Sequence, residues 1–463
     1  MGEDLNIRTD AAIAEEEPEN TKKQIAARIA KVVLFLGIFC VIIYLLCDIF
    51  EYHNNYLSQR YKLYKEFEPD MIDAVIIGTS GVDRSWIAAK GYDKFGLAVY
   101  PLSIDAMPCW TALDMIKEAY RFQDPKLIIL DMRMFVVDDP SNNLDLSKTR
   151  ARRVIDTLNF FSPNRLDAIN RTLKIINDAD PEEEEHSYDL SFFLTFIQYH
   201  SAWADEDFEF LSEIGSKPSK YLGFYLTRNS IVEKKLKKTK WTKKRMDLTP
   251  IAEESLYEVL DYCRDNGIDL LFIDSPHYLD EDEVKKTNRL CDILDSRDIK
   301  WVRYSGSEWY NNEKGFDDQI TLTDDGMYVV TFNGVTWEFE NKELAEEYLT
   351  KHTFNRKLHF YDSAHLNFEG AAIFTRLLGD YLVTNYDLGN HTDDPRYEDW
   401  VKVYSKIKRK IKTYRAESDP GSEDIVLTEE DLKELKEEQK EIKDEEQLMK
   451  EEQKAVEDDE EDE

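Results

Sequence analysis

Cysteine is scarce in this sequence, which has five in 463 residues. Two of them, Cys40 and Cys47, lie in an apolar stretch near the N-terminus, and the other three form no C-x-x-C pair. So few cysteines, with an odd number outside that stretch, do not make the pattern of a disulfide-stapled protein. We therefore expect no disulfide framework and interpret Cys109, Cys263 and Cys291 as buried apolar side chains.

Positive charge is scarce as well, because 60 Lys and Arg stand against 95 Asp and Glu, for a net charge of −35. The last 40 residues contain 20 acids and six lysines, and the rest of the chain is acidic without them. An acidic protein repels a phosphate backbone, and the sequence has no zinc-finger spacing, so we expect no nucleic-acid partner. It also has no HExxH motif and no glycine-rich phosphate loop, so we expect no metal and no cofactor.

One run of the chain has no charge at all. Residues 32–47 are sixteen uncharged residues, and the run reaches residue 50 if Asp48 lies at the membrane surface, which is long enough to cross a bilayer. The run begins about 30 residues from the N-terminus and has no small-x-small cleavage site, unlike a secretory signal peptide. We predict an uncleaved transmembrane helix over residues 29–50, after a disordered cytoplasmic segment over residues 1–28.

The basic residues beside this run predict its orientation. Four precede it and three follow it, namely Lys22, Lys23, Arg28 and Lys31 before, and Arg60, Lys62 and Lys65 after. The first group is larger by one and lies nearer the membrane, so the positive-inside rule favours a cytoplasmic N-terminus. The sequence therefore predicts a single-pass protein of the cell membrane whose large domain is extracytoplasmic.

Beyond this run, short apolar segments typical of β-strands alternate with segments of helical periodicity. The strand-like segments are residues 74–77, 97–102, 126–135, 268–273 and 300–304, and the helical ones include 108–122, 250–266 and 280–296. Strands that alternate with helices indicate a parallel sheet, so we predict an α/β domain over residues 66–390.

Two inserts interrupt the alternation. Residues 136–249 are helix-rich, and residues 306–358 contain Asn333-Gly334 between two alternating runs, which indicates a β-hairpin. Residues 416–463 are expected to form an acidic tail, helical or disordered. Within the first insert, eight of the twelve residues at 234–245 are basic, which fits either a solvated face or, with Trp241, a surface that docks on anionic headgroups or polymer.

A serine follows the first predicted strand, in the segment Gly78-Thr79-Ser80-Gly81. The glycines permit a tight turn, and a helix that starts here would point N–H groups at a developing oxyanion. Open α/β sheets bind their ligands at this end of the strands. A helix-capping serine without a catalytic role fits the same motif, so Ser80 alone does not decide between the two.

Asp362 and His365 stand three residues apart, just before the last apolar helix of the α/β domain. At this spacing the carboxylate can hold the imidazole in one tautomer, and the other ring nitrogen can accept a serine proton. We therefore expect Ser80 Oγ and His365 to lie within about 4 Å of each other. His277 follows another predicted strand and fits either a lining of the same crevice or a loop histidine without a catalytic role.

The serine block and the Asp-x-x-His block, in this order at the two ends of an α/β core, resemble the SGNH/GDSL hydrolase superfamily. The resemblance implies a flavodoxin-like, three-layer parallel sheet and an acyl-enzyme mechanism in which Ser80 is the nucleophile, His365 the general base and Asp362 the orienting acid. With an N-terminal anchor, the layout is similar to the membrane-bound D-alanine transfer proteins of teichoic acid and to related anchored acyltransferases and esterases of surface polysaccharides.

This resemblance implies ester chemistry on a cell-wall or surface glycopolymer, as an esterase or an O-acyltransferase. The implied partners are the bilayer, a surface polysaccharide or teichoic-acid-like polymer, and a membrane acyl-transfer protein. Such proteins usually carry oxyanion donors in a glycine after the second strand and an asparagine after the third, and this chain has neither.

The segments at those two places differ from the superfamily pattern. They suggest backbone N–H groups of Ser80, Ser103 and Asp105 as the oxyanion hole, with Arg133 and His277 as substrate-binding residues. The altered donors leave a second hypothesis open, a non-catalytic anchored protein that binds a glycan or organises an acyl-transfer complex.

Overall fold

The structure is a computed structural model, and it describes residues 17–50, 55–137, 144–179, 189–199, 218–227, 239–310, 316, 319–332 and 335–418. By its internal contacts the chain divides into two units. One unit comprises residues 1–53 and 189–216, and the other comprises residues 54–188 and 217–463.

The α-helices of the described ranges are α1 (Glu17–Ile49), α2 (Tyr56–Glu66), α3 (Ser80–Asp83), α4 (Ala88–Phe95), α5 (Ala112–Ala119), α6 (Arg133–Val137), α7 (Leu144–Thr157), α8 (Pro163–Ala179), α9 (Thr195–Tyr199), α10 (Pro250–Asn266), α11 (Glu281–Asp295), α12 (Lys342–His352), α13 (Phe368–Asn385) and α14 (Glu398–Ser418). The strands are β1 (Ala74–Gly78), β2 (Val99–Ser103), β3 (Leu127–Asp131), β4 (Leu270–Asp274), β5 (Lys300–Arg303), β6 (Ile320–Leu322), β7 (Tyr328–Phe332) and β8 (Val335–Phe339).

The first unit contains α1, whose segment Lys23–Asp48 has a mean hydropathy of 2.8 and is long and apolar enough to span a membrane. The helix begins at Glu17, so residues 17–28 are helical where we expected disorder. Eight of these twelve residues are Glu, Lys, Gln, Ala or Arg, which favour helix. In the same unit, the Thr195 hydroxyl of α9 donates to the Cys47 carbonyl at 2.9 Å.

The second unit is built on a five-stranded parallel sheet of order β2-β1-β3-β4-β5. Every residue of β1 to β4 is buried, and since successive side chains point to opposite faces, both faces of these strands are covered. The predicted α/β class with a parallel sheet is therefore confirmed. The strand order reverses between β1 and β3, so the loops after these two strands border the crevice in which such sheets bind ligands.

Local signals set the boundaries of the helices that flank the sheet. Thr249 caps α10 by accepting the Ala252 N–H, and Gly267 ends the helix in the left-handed conformation. A strand was expected over residues 126–135, but β3 stops at Asp131 and α6 begins at Arg133. The break occurs because the Asp131 carboxylate accepts the Arg133 N–H at 3.2 Å and turns the chain.

The two inserts differ in how far they follow the prediction. In the first, α7 contacts α2 and α8 contacts α5 in the second unit, whereas residues 189–199 belong to the unit of α1. In the second, β7 and β8 pair antiparallel as the predicted hairpin, with β6 added to the sheet. The Asn333-Gly334 turn lies outside the described residues.

Two helices lie at the edges of the predicted α/β domain. The helix α2 begins at residue 56, ten residues before the expected start of the domain at residue 66, and it contacts β2. Beyond the expected end at 390, α14 contacts α4, and its Trp400 is buried with its ring 5.8 Å from that of Tyr92. The acidic tail from residue 419 and the basic residues 234–238 lie outside the described residues.

Candidate active site

The serine turn is formed by the end of β1 and the start of α3. Thr79 caps α3 by accepting the Gly81 N–H at 3.3 Å, and Ser80 is the first helical residue, only 8% exposed. A Cβ on Gly78 would lie 2.4 Å from Asp131 Cβ, and one on Gly81 would lie 2.7 Å from Ser275 Oγ. Both positions therefore need glycine because neighbouring side chains approach the turn closely.

The Asp-x-x-His block brings its histidine to this serine. Ser80 Oγ lies 2.8 Å from His365 Nε2, within the distance of about 4 Å expected from the sequence. On the other side of the ring, His365 Nδ1 lies 2.9 and 2.8 Å from the two carboxylate oxygens of Asp362. The three side chains thus form one hydrogen-bonded chain from carboxylate to imidazole to hydroxyl.

A tight turn fixes the histidine and the carboxylate relative to each other. The Tyr361 N–H donates to the His365 carbonyl at 2.9 Å, and the Ala364 N–H donates to Asp362 Oδ1 at 2.7 Å. Two residues later, Asn367 caps α13 by accepting the N–H groups of Glu369 and Gly370. The cap ends the turn and starts the helix, so His365 is held by backbone on both sides.

Burial and two nearby arginines favour a neutral His365 imidazole. Burial lowers the pKa of His365; the Asp362 carboxylate opposes this shift, and the charges of Arg84 and Arg133 add to it. Burial acts to raise the pKa of Asp362, but its bonds to His365 and to the Ala364 N–H outweigh burial, and the pKa lies below its usual value. At neutral pH the carboxylate is therefore charged and His365 Nε2 is free to accept a proton.

Two arginines lie beside the triad. The Arg84 guanidinium stacks on the Tyr225 ring at 4.7 Å, and its Nε is buried without a hydrogen-bond partner among the described residues. Arg133 donates from Nη1 to the Ala364 carbonyl at 3.1 Å. The sequence marked Arg133 as a substrate-binding candidate, whereas no local pattern pointed to Arg84.

Asp131 ends the third strand, at the place where the superfamily that the sequence resembles usually has an asparagine. Its carboxylate accepts the Thr79 hydroxyl at 2.7 Å, the Thr79 N–H at 3.3 Å and the Arg133 N–H at 3.2 Å. All of these bonds run to the turns after β1 and β3. Asp131 is therefore a brace between the two turns, and burial raises its pKa.

The predicted oxyanion donors differ in their surroundings. The N–H groups of Ser80 and Asp105 donate to no backbone acceptor in the described part of the chain. The N–H of Ile104, which lies between Ser103 and Asp105, donates to the Gly78 carbonyl at 3.2 Å. Ser103 is buried, and its hydroxyl has no hydrogen-bond partner within the described ranges.

His277 is a buried framework residue in this structure. Its ring is 2% exposed, and Nδ1 donates to the Ser275 carbonyl at 2.7 Å. Burial, followed by the charge of Arg133, lowers the pKa of His277 to about 3, so the ring is neutral. It lies at the end of β4, as predicted, but it is not exposed to contact a substrate.

An arginine far from the motifs supports the serine turn. Arg60 of α2 is 3% exposed and donates from Nε to the Gly223 carbonyl and from Nη1 to the Ser103 carbonyl, each at 2.7 Å. Its Nη2 lies 3.1 Å from Asp83 Oδ2 in α3. This one side chain thus connects α2, the end of β2 and α3, the helix that begins at Ser80.

Two residues in the described part of the basic run, Trp241 and Arg245, contact side chains of the domain. The Trp241 ring is 40% exposed and carries the Arg303 guanidinium at 5.2 Å, while Arg245 makes two bonds to the Asp292 carboxylate at 2.7 and 2.8 Å. In the ranges that the structure describes, no group of three His, Cys, Asp or Glu side chains is arranged to hold a metal ion.

Comparison of the chain with models of known protein families finds no match, and comparison with curated proteins finds none either.

Proposed function

We propose that the protein is a membrane-anchored serine esterase or O-acyltransferase of the SGNH/GDSL type. The observation that carries the proposal is the hydrogen-bonded chain from Asp362 through His365 to Ser80, with 2.8 Å between the serine oxygen and the imidazole. The strand order also supports it, because 2-1-3-4-5 is the order of flavodoxin-like sheets, and the serine follows a strand at the switch point.

The first half of the reaction forms an acyl-enzyme. Ser80 Oγ attacks the ester carbonyl carbon while its proton moves to His365 Nε2, and Asp362 stabilises the imidazolium. The Ser80 and Asp105 N–H groups bind the oxyanion of the tetrahedral intermediate. When the intermediate collapses, the bond to the alcohol oxygen breaks, and His365 returns the proton to that oxygen.

The second half releases the acyl group. His365 removes a proton from water or from an acceptor hydroxyl, whose oxygen attacks the acyl carbon. The bond to Ser80 Oγ breaks, and the serine regains its proton from His365. Water as the acceptor gives an esterase, and a sugar or polymer hydroxyl gives an O-acyltransferase.

The substrate and location complete the proposal. The helix α1 anchors the chain in the cell membrane, and the domain lies outside the cytoplasm, where it acts on a cell-wall or surface glycopolymer together with an acyl-transfer partner protein. The apolar length of α1 supports the anchor. The polymer and the partner follow from the resemblance alone.

A fluorophosphonate probe tests the proposal on the full chain in detergent. We expect wild type to be labelled, Ser80→Ala to be unlabelled, and Ser405→Ala, which changes a serine of α14, to be labelled like wild type. Absence of labelling in a folded wild-type protein would overturn the proposal. That result would favour the second hypothesis, in which the crevice binds a glycan without chemistry.

A further inference from the structure

A cavity with a volume of about 250 Å³ lies among α4, α12 and α13. No side chain of the triad lines it. Its walls are Lys90 of α4, Thr350 and Lys351 of α12, His359, and Glu369, Ala372, Ile373 and Arg376 of α13. In a chain with a net charge of −35, the cavity is lined by three cations and one carboxylate.

The carboxylate and one of the cations are already paired. Glu369 accepts Arg415 Nε at 2.8 Å, and Lys351 forms an ion pair with Glu347 on its own helix. The cations that remain are Lys90 and Arg376. Burial and the charge of Arg376 lower the pKa of Lys90 to about 8. A cation whose charged form is disfavoured in this way is stabilised when an anion binds beside it.

Arg376 offers the donors for such an anion. Its Nε and Nη2 are buried, and neither has a hydrogen-bond partner in the part of the chain that the structure describes. These two atoms form one edge of the guanidinium, the fork that binds two oxygens of one oxyanion. Burial lowers the pKa of Arg376, and the charge of Asp380 on the same helix opposes this shift; the Asp380 side chain is half-exposed and also lies 4.0 Å from Lys94.

His359 adds a neutral donor. Its Nδ1 accepts the Asn355 N–H at 2.9 Å, and burial lowers its pKa to about 4, so the ring is neutral and carries its proton on Nε2. Lys90 donates one of its three protons to the Ala372 carbonyl at 3.1 Å and keeps the others. Donors from three separate segments therefore surround the cavity.

We propose that this cavity binds a phosphate group, held by the Nε and Nη2 edge of Arg376 and by the ammonium group of Lys90. Phosphate fits better than a carboxylate because its oxygens are tetrahedral and reach donors on several sides, whereas a carboxylate offers two oxygens in one plane. A volume of about 250 Å³ is below that of sites for drug-sized ligands, and it suits inorganic phosphate or a small phosphomonoester. The inference is independent of the serine chemistry.

Calorimetric titration of the full chain in detergent with inorganic phosphate, at constant ionic strength, tests the site. We expect saturable binding in the millimolar range or tighter, and binding weakened about tenfold or more in Arg376→Gln and in Lys90→Gln. Arg264→Gln is the matched control, since it removes the same charge from an exposed arginine of α10. Glycerol phosphate is expected to bind as phosphate does, and acetate more weakly.

Three results would overturn the inference. They are no saturable binding by wild type, equal affinity in Arg376→Gln and wild type, and acetate binding as tightly as phosphate. Arg376→Lys separates a loss of binding from a loss of folding, because lysine keeps the positive charge but lacks the two-donor edge of the guanidinium. It is expected to unfold near the wild-type temperature and still to bind phosphate more weakly; wild-type affinity in this variant would also contradict the role of the fork.

Discussion

Replacing Asp362 by asparagine is expected to change the tautomer of His365, so that its Nε2 can no longer accept the Ser80 proton. In the structure, Asp362 Oδ1 accepts the Ala364 N–H at 2.7 Å and lies 2.9 Å from His365 Nδ1, and Oδ2 lies 2.8 Å from Nδ1. An asparagine that keeps its oxygen on the Ala364 N–H places its NH₂ group at the Oδ2 position, the nearer of the two to Nδ1. The imidazole then carries its proton on Nε2, the atom that has to accept the Ser80 proton.

The expected loss is about 10⁴-fold in turnover, the size of the same exchange in a serine-protease triad, and it corresponds to about 5 kcal/mol of activation free energy. Asp362→Ala is the informative comparison. Alanine leaves Nδ1 without a partner and allows both tautomers, so this variant is expected to react faster than Asp362→Asn although it removes more of the side chain.

The assay is the rate of labelling by a fluorophosphonate, measured near neutral pH on wild type and both variants. The Asp362 side chain is 36% exposed, so both variants are expected to fold, and thermal unfolding checks this. If Asp362→Asn reacts within about tenfold of wild type, or faster than Asp362→Ala, the tautomer argument is wrong.

Three further outcomes are expected, two from the structure and one from the charges beside the apolar run. Since the pKa of His365 lies below its usual value of about 6.5, the labelling rate should fall only as the pH drops below that value. Arg84→Met removes a charge that lowers this pKa, so in that variant the fall in labelling rate should occur at higher pH. Arg60→Met leaves Asp83 buried without its partner, and denaturant unfolding should show a loss of about 3–5 kcal/mol. Protease added to intact cells should digest the domain, and protection until lysis would contradict the proposed topology.

The central sheet was predictable because its strands are short apolar segments separated by helices. The predicted segments at 74–77, 268–273 and 300–304 each overlap a strand of the parallel sheet. The first two match β1 and β4, which are buried on both faces and therefore need continuous apolar runs, whereas β5 at the edge of the sheet is only partly buried. The helix over residues 250–266 was predicted to the residue, since Thr249, Pro250 and Gly267 are local signals for its ends.

The supports of the site were not predictable from local patterns. Arg60 bonds to the carbonyls of Gly223 and Ser103, which lie 163 and 43 residues away in the chain. In the sequence it counted only as a charge after the apolar run. Asp131 and Thr79 are 52 residues apart, and their bond exists only because β1 and β3 are neighbours in the sheet. Such contacts depend on the strand order, which the sequence did not predict by itself.

Asp131 leads to a last prediction, because two interpretations of it differ in what Asp131→Asn should do. If the carboxylate merely replaces a missing oxyanion donor, asparagine would restore the donor and raise ester turnover. In the structure, however, the carboxylate accepts three donors, the Thr79 hydroxyl and the N–H groups of Thr79 and Arg133. Its position is therefore set by the serine turn.

An asparagine at 131 would present its NH₂ group to one of these donors, and two donors cannot bond to each other. The amide would stay within the turns, one N–H would lose its acceptor, and the serine would be held less firmly. We therefore expect ester turnover in Asp131→Asn to stay at or below the wild-type rate, measured together with the labelling rate of Ser80. A gain toward the roughly 10²-fold that one oxyanion donor provides would show that the side chain points into the crevice and that the brace assignment is wrong.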